Sequence, residues 1–114
     1  GHSQCGAMSA LLGGLPDVKT MPHLREWLEL ARPVSEIMSS QYASIPEQSI
    51  RVDIAAEENV LFGLESLHSY HCVQERLMDG TLRLHGWFFK IATAELFAYD
   101  PETKQFLPLL DKAD

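Results

Sequence analysis

Basic charge is scarce in this chain: 9 lysines and arginines stand against 16 acidic residues, a formal net charge of −7. Affinity for a phosphate backbone comes largely from counterions released by Lys and Arg, and anionic lipid also selects basic segments, so nucleic acid and membrane surfaces are poor partners. Long apolar runs are missing too. None approaches the ~18 to 20 residues that cross a bilayer, and the first residues form neither a basic region nor an apolar signal segment, so the chain reads as soluble. Cysteine is limited to Cys5 and Cys72, far apart and in unlike surroundings. They make no disulfide framework, and a reducing, cytoplasmic setting is expected. Paired carboxylates, a Ser-His-Asp set and a Gly-rich phosphate loop are all lacking. Gly1-His2-Ser3-Gln4-Cys5-Gly6 has neither an initiator methionine nor any lead-in, so a truncated or cleaved chain is expected; a Gly-His pair can also be the scar of a removed tag.

What is present is 46% hydrophobic content over 114 residues, enough for one globular unit with its own core. Residues 4 to 79 carry helical periodicity. Met8, Leu11 and Leu12 are spaced for a short helix that opens at Cys5 and stops at Gly13-Gly14. Pro22 starts a second helix with Leu24, Trp27, Leu28 and Ala31 on one face, and Pro33 breaks or kinks it. Val34, Ile37, Met38 and Tyr42 continue a stripe to Ser44-Ile45-Pro46. From Glu47 a long amphipathic helix is expected through Ile50, Ile54, Ala55, Val60, Leu61, Leu64 and Leu67, with a break near His68 to His71 and an end at Asp79-Gly80.

Beyond Gly80 the period becomes twofold. Leu82, Leu84, Gly86 and Phe88 alternate with Thr81, Arg83, His85 and Trp87, which predicts a strand over about 82–90. Further strands are expected at about 94–99 and 105–108, around the turn Asp100-Pro101-Glu102-Thr103, with a frayed tail from Asp111 to Asp114. The fold class is therefore α/β: several helices, then a small sheet or hairpin, forming one partial domain over 1–114. A strand with apolar and aromatic residues on both faces suits the interior of a larger sheet, so partner strands are expected to precede residue 1.

The sharpest local signal is His2-x-x-Cys5. A neutral imidazole and a thiolate three residues apart reach one tetrahedral Zn²⁺ when the chain turns from a strand into a helix, and unpaired backbone N–H groups at a helix N-terminus favour a thiolate there. Gly6 would let the backbone approach the metal closely. Taken alone, the pair is better read as a helix-capping segment with an incidental cysteine, since a short H-x-x-C recurs by chance and zinc needs at least three protein ligands. His68, His71 and Cys72 form H-x-x-H-C, read as a buried thiol beside two surface histidines. His85 is read as a hydrogen-bonded structural histidine, Trp87, Phe88 and Phe89 as core or interface packing, and Glu57-Glu58 as the solvated face of the long helix. Asn59 is a polar residue inside that helix, able to bond a neighbouring loop.

The opening G-H-S-Q-C-G-A-M at residues 1–8 resembles the zinc segment G-H-x-x-C-G-A of β-class carbonic anhydrases. The similarity continues through Glu58-Asn59-Val60, Val73-Gln74-Glu75-Arg76-Leu77, Gly80, Leu84-His85-Gly86-Trp87-Phe88-Phe89 and Ala98-Tyr99-Asp100, to about Leu109. It implies the C-terminal half of an α/β domain built on a mainly parallel sheet and assembled as homodimers or larger homo-oligomers. It also implies Zn²⁺ held by His2, Cys5 and a second cysteine from a C-x-D-x-R segment upstream, which this chain lacks. Cys72 does not match that position. Tyr70-His71 stands where relatives often have a proline after the tyrosine. The implied chemistry is reversible hydration of CO₂ to bicarbonate, zinc lowering the pKa of its bound water to about 7. An incomplete ligand set implies that this chain alone has little or no activity. Two other roles compete: a non-catalytic oligomerisation module using Leu82 to Tyr99, and thiol redox chemistry at Cys5.

Overall fold

A computed structural model describes residues 1–109. Five helices precede three strands: α1 (Gly6–Leu12), α2 (Pro22–Glu29), α3 (Arg32–Gln41), α4 (Gln48–His68), α5 (His71–Met78), β1 (Trp87–Lys90), β2 (Glu95–Asp100) and β3 (Gln105–Pro108). Proline sits in the first turn of both α2 and α3, where its missing N–H leaves no gap in the helix ladder. The break between those helices thus falls at Leu30-Ala31, and Pro33 begins α3 rather than kinking α2. The expected interruption after His68 is real, and α5 restarts at His71.

The strands form an antiparallel meander in the order β1-β2-β3. Trp87 pairs with Ala98 and Lys90 with Glu95 on one side of β2, while Phe97 pairs with Pro108 and Asp100 with Gln105 on the other. Each connecting turn ends in a residue with positive φ, Ala94 and Lys104, both at 56°. The Asp100 carboxylate accepts the Glu102 N–H at 3.1 Å and the Thr103 hydroxyl at 2.9 Å, an arrangement that pre-folds the second turn. On its free side β1 meets the start of the chain. His2 bridges Phe89 in parallel fashion, with the Phe89 N–H donating to the Gly1 carbonyl at 3.0 Å and the Ser3 N–H donating to the Phe89 carbonyl at 2.9 Å.

The expected strand over 82–90 begins only at Trp87. The twofold alternation of burial does run from Leu82 to Phe88, but residues 82 to 86 have no ladder beside them. Tyr99 N–H to Gly86 O, at 2.8 Å, marks where pairing starts. The tail expected to fray, Asp111 to Asp114, lies outside the described residues.

The core gathers around α4: Met8 and Leu11 of α1, Val34 and Met38 of α3, Val52, Ala55 and Ala56 of α4, and Phe88 of β1. Within α4 the closest packing falls on Val52, Ala55 and Ala56; of the expected stripe Ala55 is fully buried, whereas Ile50 and Leu67 at its ends are exposed. In α2 only Leu28 is buried, while Trp27 keeps 59% of its surface exposed. The Cα radius of gyration is 15.9 Å, against about 13 Å for a compact domain of about 100 residues. Trp87, Phe89, Ile91 and Leu109 are also exposed, so β1 and its surroundings keep much apolar surface in water.

Candidate metal centre

The first five residues run from strand to helix in one tight step. Gly1 to Ser3 lie along β1, held by the two parallel hydrogen bonds to Phe89 and by a third from the Gly1 nitrogen to the Trp87 carbonyl at 2.8 Å. Ser3 is buried, and its hydroxyl accepts the Ile91 N–H at 2.9 Å, so the exit of β1 is tied to the same turn. Gln4 takes a positive φ of 54°, and its N–H donates to Asp53 Oδ1 of α4 at 2.9 Å. Cys5 is the residue before α1, with extended φ and ψ, and its carbonyl accepts the Ser9 N–H at 2.9 Å.

His2 is exposed, and its Nδ1 lies 2.9 Å from the Ser3 carbonyl. A carbonyl only accepts, so Nδ1 donates here, and in the neutral imidazole this leaves the Nε2 lone pair free, the arrangement by which metal-binding histidines are usually oriented. Cys5 is a half-buried free thiol. These two donors suit zinc in type: a neutral imidazole and a sulfur. They do not suffice in number, since structural and catalytic zinc sites take at least three protein ligands. Among the described residues no group of three His, Cys, Asp or Glu side chains gathers to hold a metal ion.

Beside Cys5 lies an open, mainly apolar pocket of about 290 Å³, walled by Met8, Trp27, Leu28, Leu30 and Phe62, with Asn59 as a polar group from α4. The helical spacing of these residues reads simply as core; only the crossing of α1, α2 and α4 makes them line one opening.

The other sequence candidates fall elsewhere. Cys72 is exposed rather than buried, because α5 lays it on the solvent side. His68 is exposed with its ring Nδ1 on the Leu64 carbonyl at 2.7 Å, and His71 Nε2 stands 3.0 Å from Glu75 on the surface of α5. His85 is exposed too, so a structural hydrogen-bonded role is not what its position gives. Of the three aromatics, Phe88 enters the core and Trp87 and Phe89 face out. Glu57 and Glu58 are half-buried, not a solvated face. Glu58 accepts the Tyr42 hydroxyl at 2.9 Å. Burial, reinforced by the nearby Asp53 and Glu58 carboxylates and opposed by Lys90, raises the Glu57 pKa. No helix among the described residues is long and apolar enough to cross a membrane.

Comparison with known proteins gives a consistent set of likenesses. Residues 1–96 match the family model described as carbonic anhydrase. A carbonic anhydrase of Synechocystis sp. is 32% identical over 107 residues, covering 94% of this chain and 39% of the relative. Carbonic anhydrase 1 of Escherichia coli O157:H7 is 33% identical over 112 residues, covering 96% of this chain and 48% of the relative. Among solved structures, the β-carbonic anhydrase CcaA superposes with a TM-score of 0.88 at 31% identity, over 95% of this chain and 52% of that one. Tetrameric β-carbonic anhydrases of Sordaria macrospora superpose with a TM-score of 0.73 at 27% identity, over 86% of this chain and 48% of the matched chain. The chain thus spans about half or less of the length of the relatives it matches.

Proposed function

The chain belongs to the β-carbonic anhydrase family, and from that membership we propose that His2 and Cys5 are two of the protein ligands of a zinc ion serving reversible hydration of CO₂ to bicarbonate. The observation that carries the reading is the strand-to-helix turn itself. It is pinned to β1 at Phe89 and to α4 at Asp53, with a free Nε2 on His2 at its start and a thiol on Cys5 at its end. His2 and Cys5, joined by at least one further ligand, would hold a zinc ion whose Lewis acidity would lower the pKa of a bound water to about 7. The remaining ligands come from outside the described residues. This chain's own side chains do three things: present the imidazole and the sulfur, hold the turn between them, and wall an apolar pocket at Cys5 that suits a small uncharged gas.

Homo-oligomeric assembly belongs to the same reading, supported by the exposed apolar side chains around β1 and by the likeness to tetrameric relatives. Two free thiols and no disulfide among the described residues fit a reducing, cytoplasmic setting. With only two donors among the described residues, this chain by itself has little or no hydration activity.

Intact mass combined with metal analysis of the purified chain tests this. Zinc well below one per chain, with CO₂ hydration at the uncatalysed rate, is expected of the chain alone; brisk zinc-dependent hydration would refute the two-donor reading. A second reading, a non-catalytic oligomerisation module, draws on the same exposed Trp87, Phe89 and Ile91. A stable zinc-free oligomer with an ordered N-terminus would favour it.

A further inference from the structure

The turn between His2 and Cys5 contains a conformation that its own residues do not favour. Gln4 has φ 54°, in the left-handed region where a side chain's Cβ crowds the backbone, and such residues persist only where their surroundings hold them. Its neighbours are tied elsewhere: Ser3 to β1 and the Ile91 N–H, Cys5 to the first turn of α1. Among the described residues, the bond that reaches Gln4 from another element is the N–H to Asp53 Oδ1 at 2.9 Å, across 49 positions of sequence. Asp53 is half-buried near the start of α4, one helical turn ahead of Glu57.

We propose that Asp53 is a positioning residue for the His2–Cys5 pair: by accepting the Gln4 N–H it fixes the left-handed residue at which the chain leaves the sheet edge, and so sets where Cys5 stands relative to His2. What the position demands is one acceptor oxygen at the right place rather than a negative charge. Asparagine carries an equivalent Oδ1, and alanine does not. The proposal takes its interest from the reading of His2 and Cys5 as metal ligands, but it concerns the turn and is tested without metal, so either idea can fail while the other stands.

The test uses the 114-residue chain with Cys72→Ser, so that Cys5 is the only thiol. Three quantities are read: hydrogen exchange of the Gln4 amide by NMR, the rate of Cys5 alkylation by iodoacetamide at neutral pH, and the urea midpoint. In Asp53→Ala the Gln4 amide exchanges about tenfold faster or more. Cys5, freed from a fixed turn, alkylates at least about threefold faster. Asp53→Asn keeps both within about twofold of the parent. Adding Gln4→Gly to Asp53→Ala returns the alkylation rate toward the parent value, because glycine occupies positive φ without support. A merely structural role for Asp53 in α4 would not respond to a change at Gln4. The proposal is overturned if Asp53→Ala leaves exchange and alkylation unchanged, if Asp53→Asn is as damaging as alanine, or if Gln4→Gly restores nothing. Should Asp53→Ala not fold, the asparagine variant and the Gln4→Gly, Asp53→Ala pair decide it: both must fold and label like the parent.

Discussion

Gly86 lies so close to Val60 that a methyl group on it would stand 2.8 Å from Val60 Cγ1, and 2.9 Å from Leu64 Cδ1. The other methyl of Val60 closes on Gly1, where an added Cβ would come within 2.9 Å. One valine of α4 is thus wedged between two glycines from distant parts of the chain, which lets the start of the chain and the approach to β1 both lie flat on the helix. Gly86→Ala is expected to lower stability by about 1 to 3 kcal/mol, the usual cost of overpacking a tight contact. Urea denaturation measures it, and in a Val60→Ala background the same change should cost less, since the contact with Val60 is then relieved while that with Leu64 Cδ1 stays. Equal costs in both backgrounds would place the strain elsewhere.

The aromatic run at β1 divides sharply: Phe88 is 1% exposed and Trp87 is 49% exposed. Phe88→Ala is expected to cost about 3 to 5 kcal/mol, a large share of the stability of any small domain. Trp87→Ala should lie within about 0.5 kcal/mol of the parent in a dilute monomeric sample. If Trp87→Ala proves as damaging as Phe88→Ala, its face is covered in solution, and a concentration-dependent urea midpoint would show by what kind of assembly.

Helix order, helix breaks and the meander were legible because they rest on local chemistry: prolines at 22 and 33, the polar break before α5, and the turn at Asp100-Pro101-Glu102-Thr103. Burial along 82–88 was legible as alternation, but the start of β1 was not, since a ladder needs a partner and alternation alone cannot show where pairing begins. Asp53, Glu57 and Glu58 look alike in sequence, three acids on one amphipathic helix. Their different surroundings come from α1, α3 and β1 closing on α4, and no local pattern encodes that. The two candidate ligands were visible in the motif, whereas the bonds of Ser3 and Gln4 that shape it appear only once the sheet and α4 meet there.

Cys72 and Cys5 differ in access, the first exposed and the second half-buried before α1. The first equivalent of a thiol reagent is therefore expected on Cys72, read by peptide mapping after brief alkylation at neutral pH. Preferential labelling of Cys5 would instead support an activated thiol and revive the redox role.

Tyr42 links α3 to α4 through its hydrogen bond to Glu58 at 2.9 Å. Tyr42→Phe is expected to cost about 1 kcal/mol, because the carboxylate left behind still reaches water. The bond to Glu58, with burial and the Glu57 charge behind it, raises the Tyr42 pKa above 10.0. A raised pKa in the folded state gives a contribution present in full below the unfolded value and lost as pH rises through the folded one. The difference between parent and Tyr42→Phe should therefore stay flat through neutral pH and shrink only at the alkaline end, as urea midpoints across that range would show.

Glu57 offers the opposite kind of control, since its charge is a burden to the fold rather than a bond. Burial is the main cause of its raised pKa, with Asp53 and Glu58 adding repulsion and Lys90 relieving part of it. The folded state binds the Glu57 proton more tightly than the unfolded chain does. Stability from this group is thus greatest below the ordinary carboxylate pKa and falls as pH rises through the folded value. At neutral pH the ionised side chain sits half out of water among two other carboxylates, and Glu57→Gln is expected to raise the urea midpoint there. Near pH 4 the parent has already taken up the proton, so the advantage of glutamine should shrink toward zero. Lys90→Met should act in the reverse sense, lowering the neutral-pH midpoint while leaving the Glu57→Gln background less affected, because the lysine's attraction to Glu57 is then already gone. An equal gain from Glu57→Gln at both pH values would assign the effect to helix propensity or packing and remove charge from the explanation.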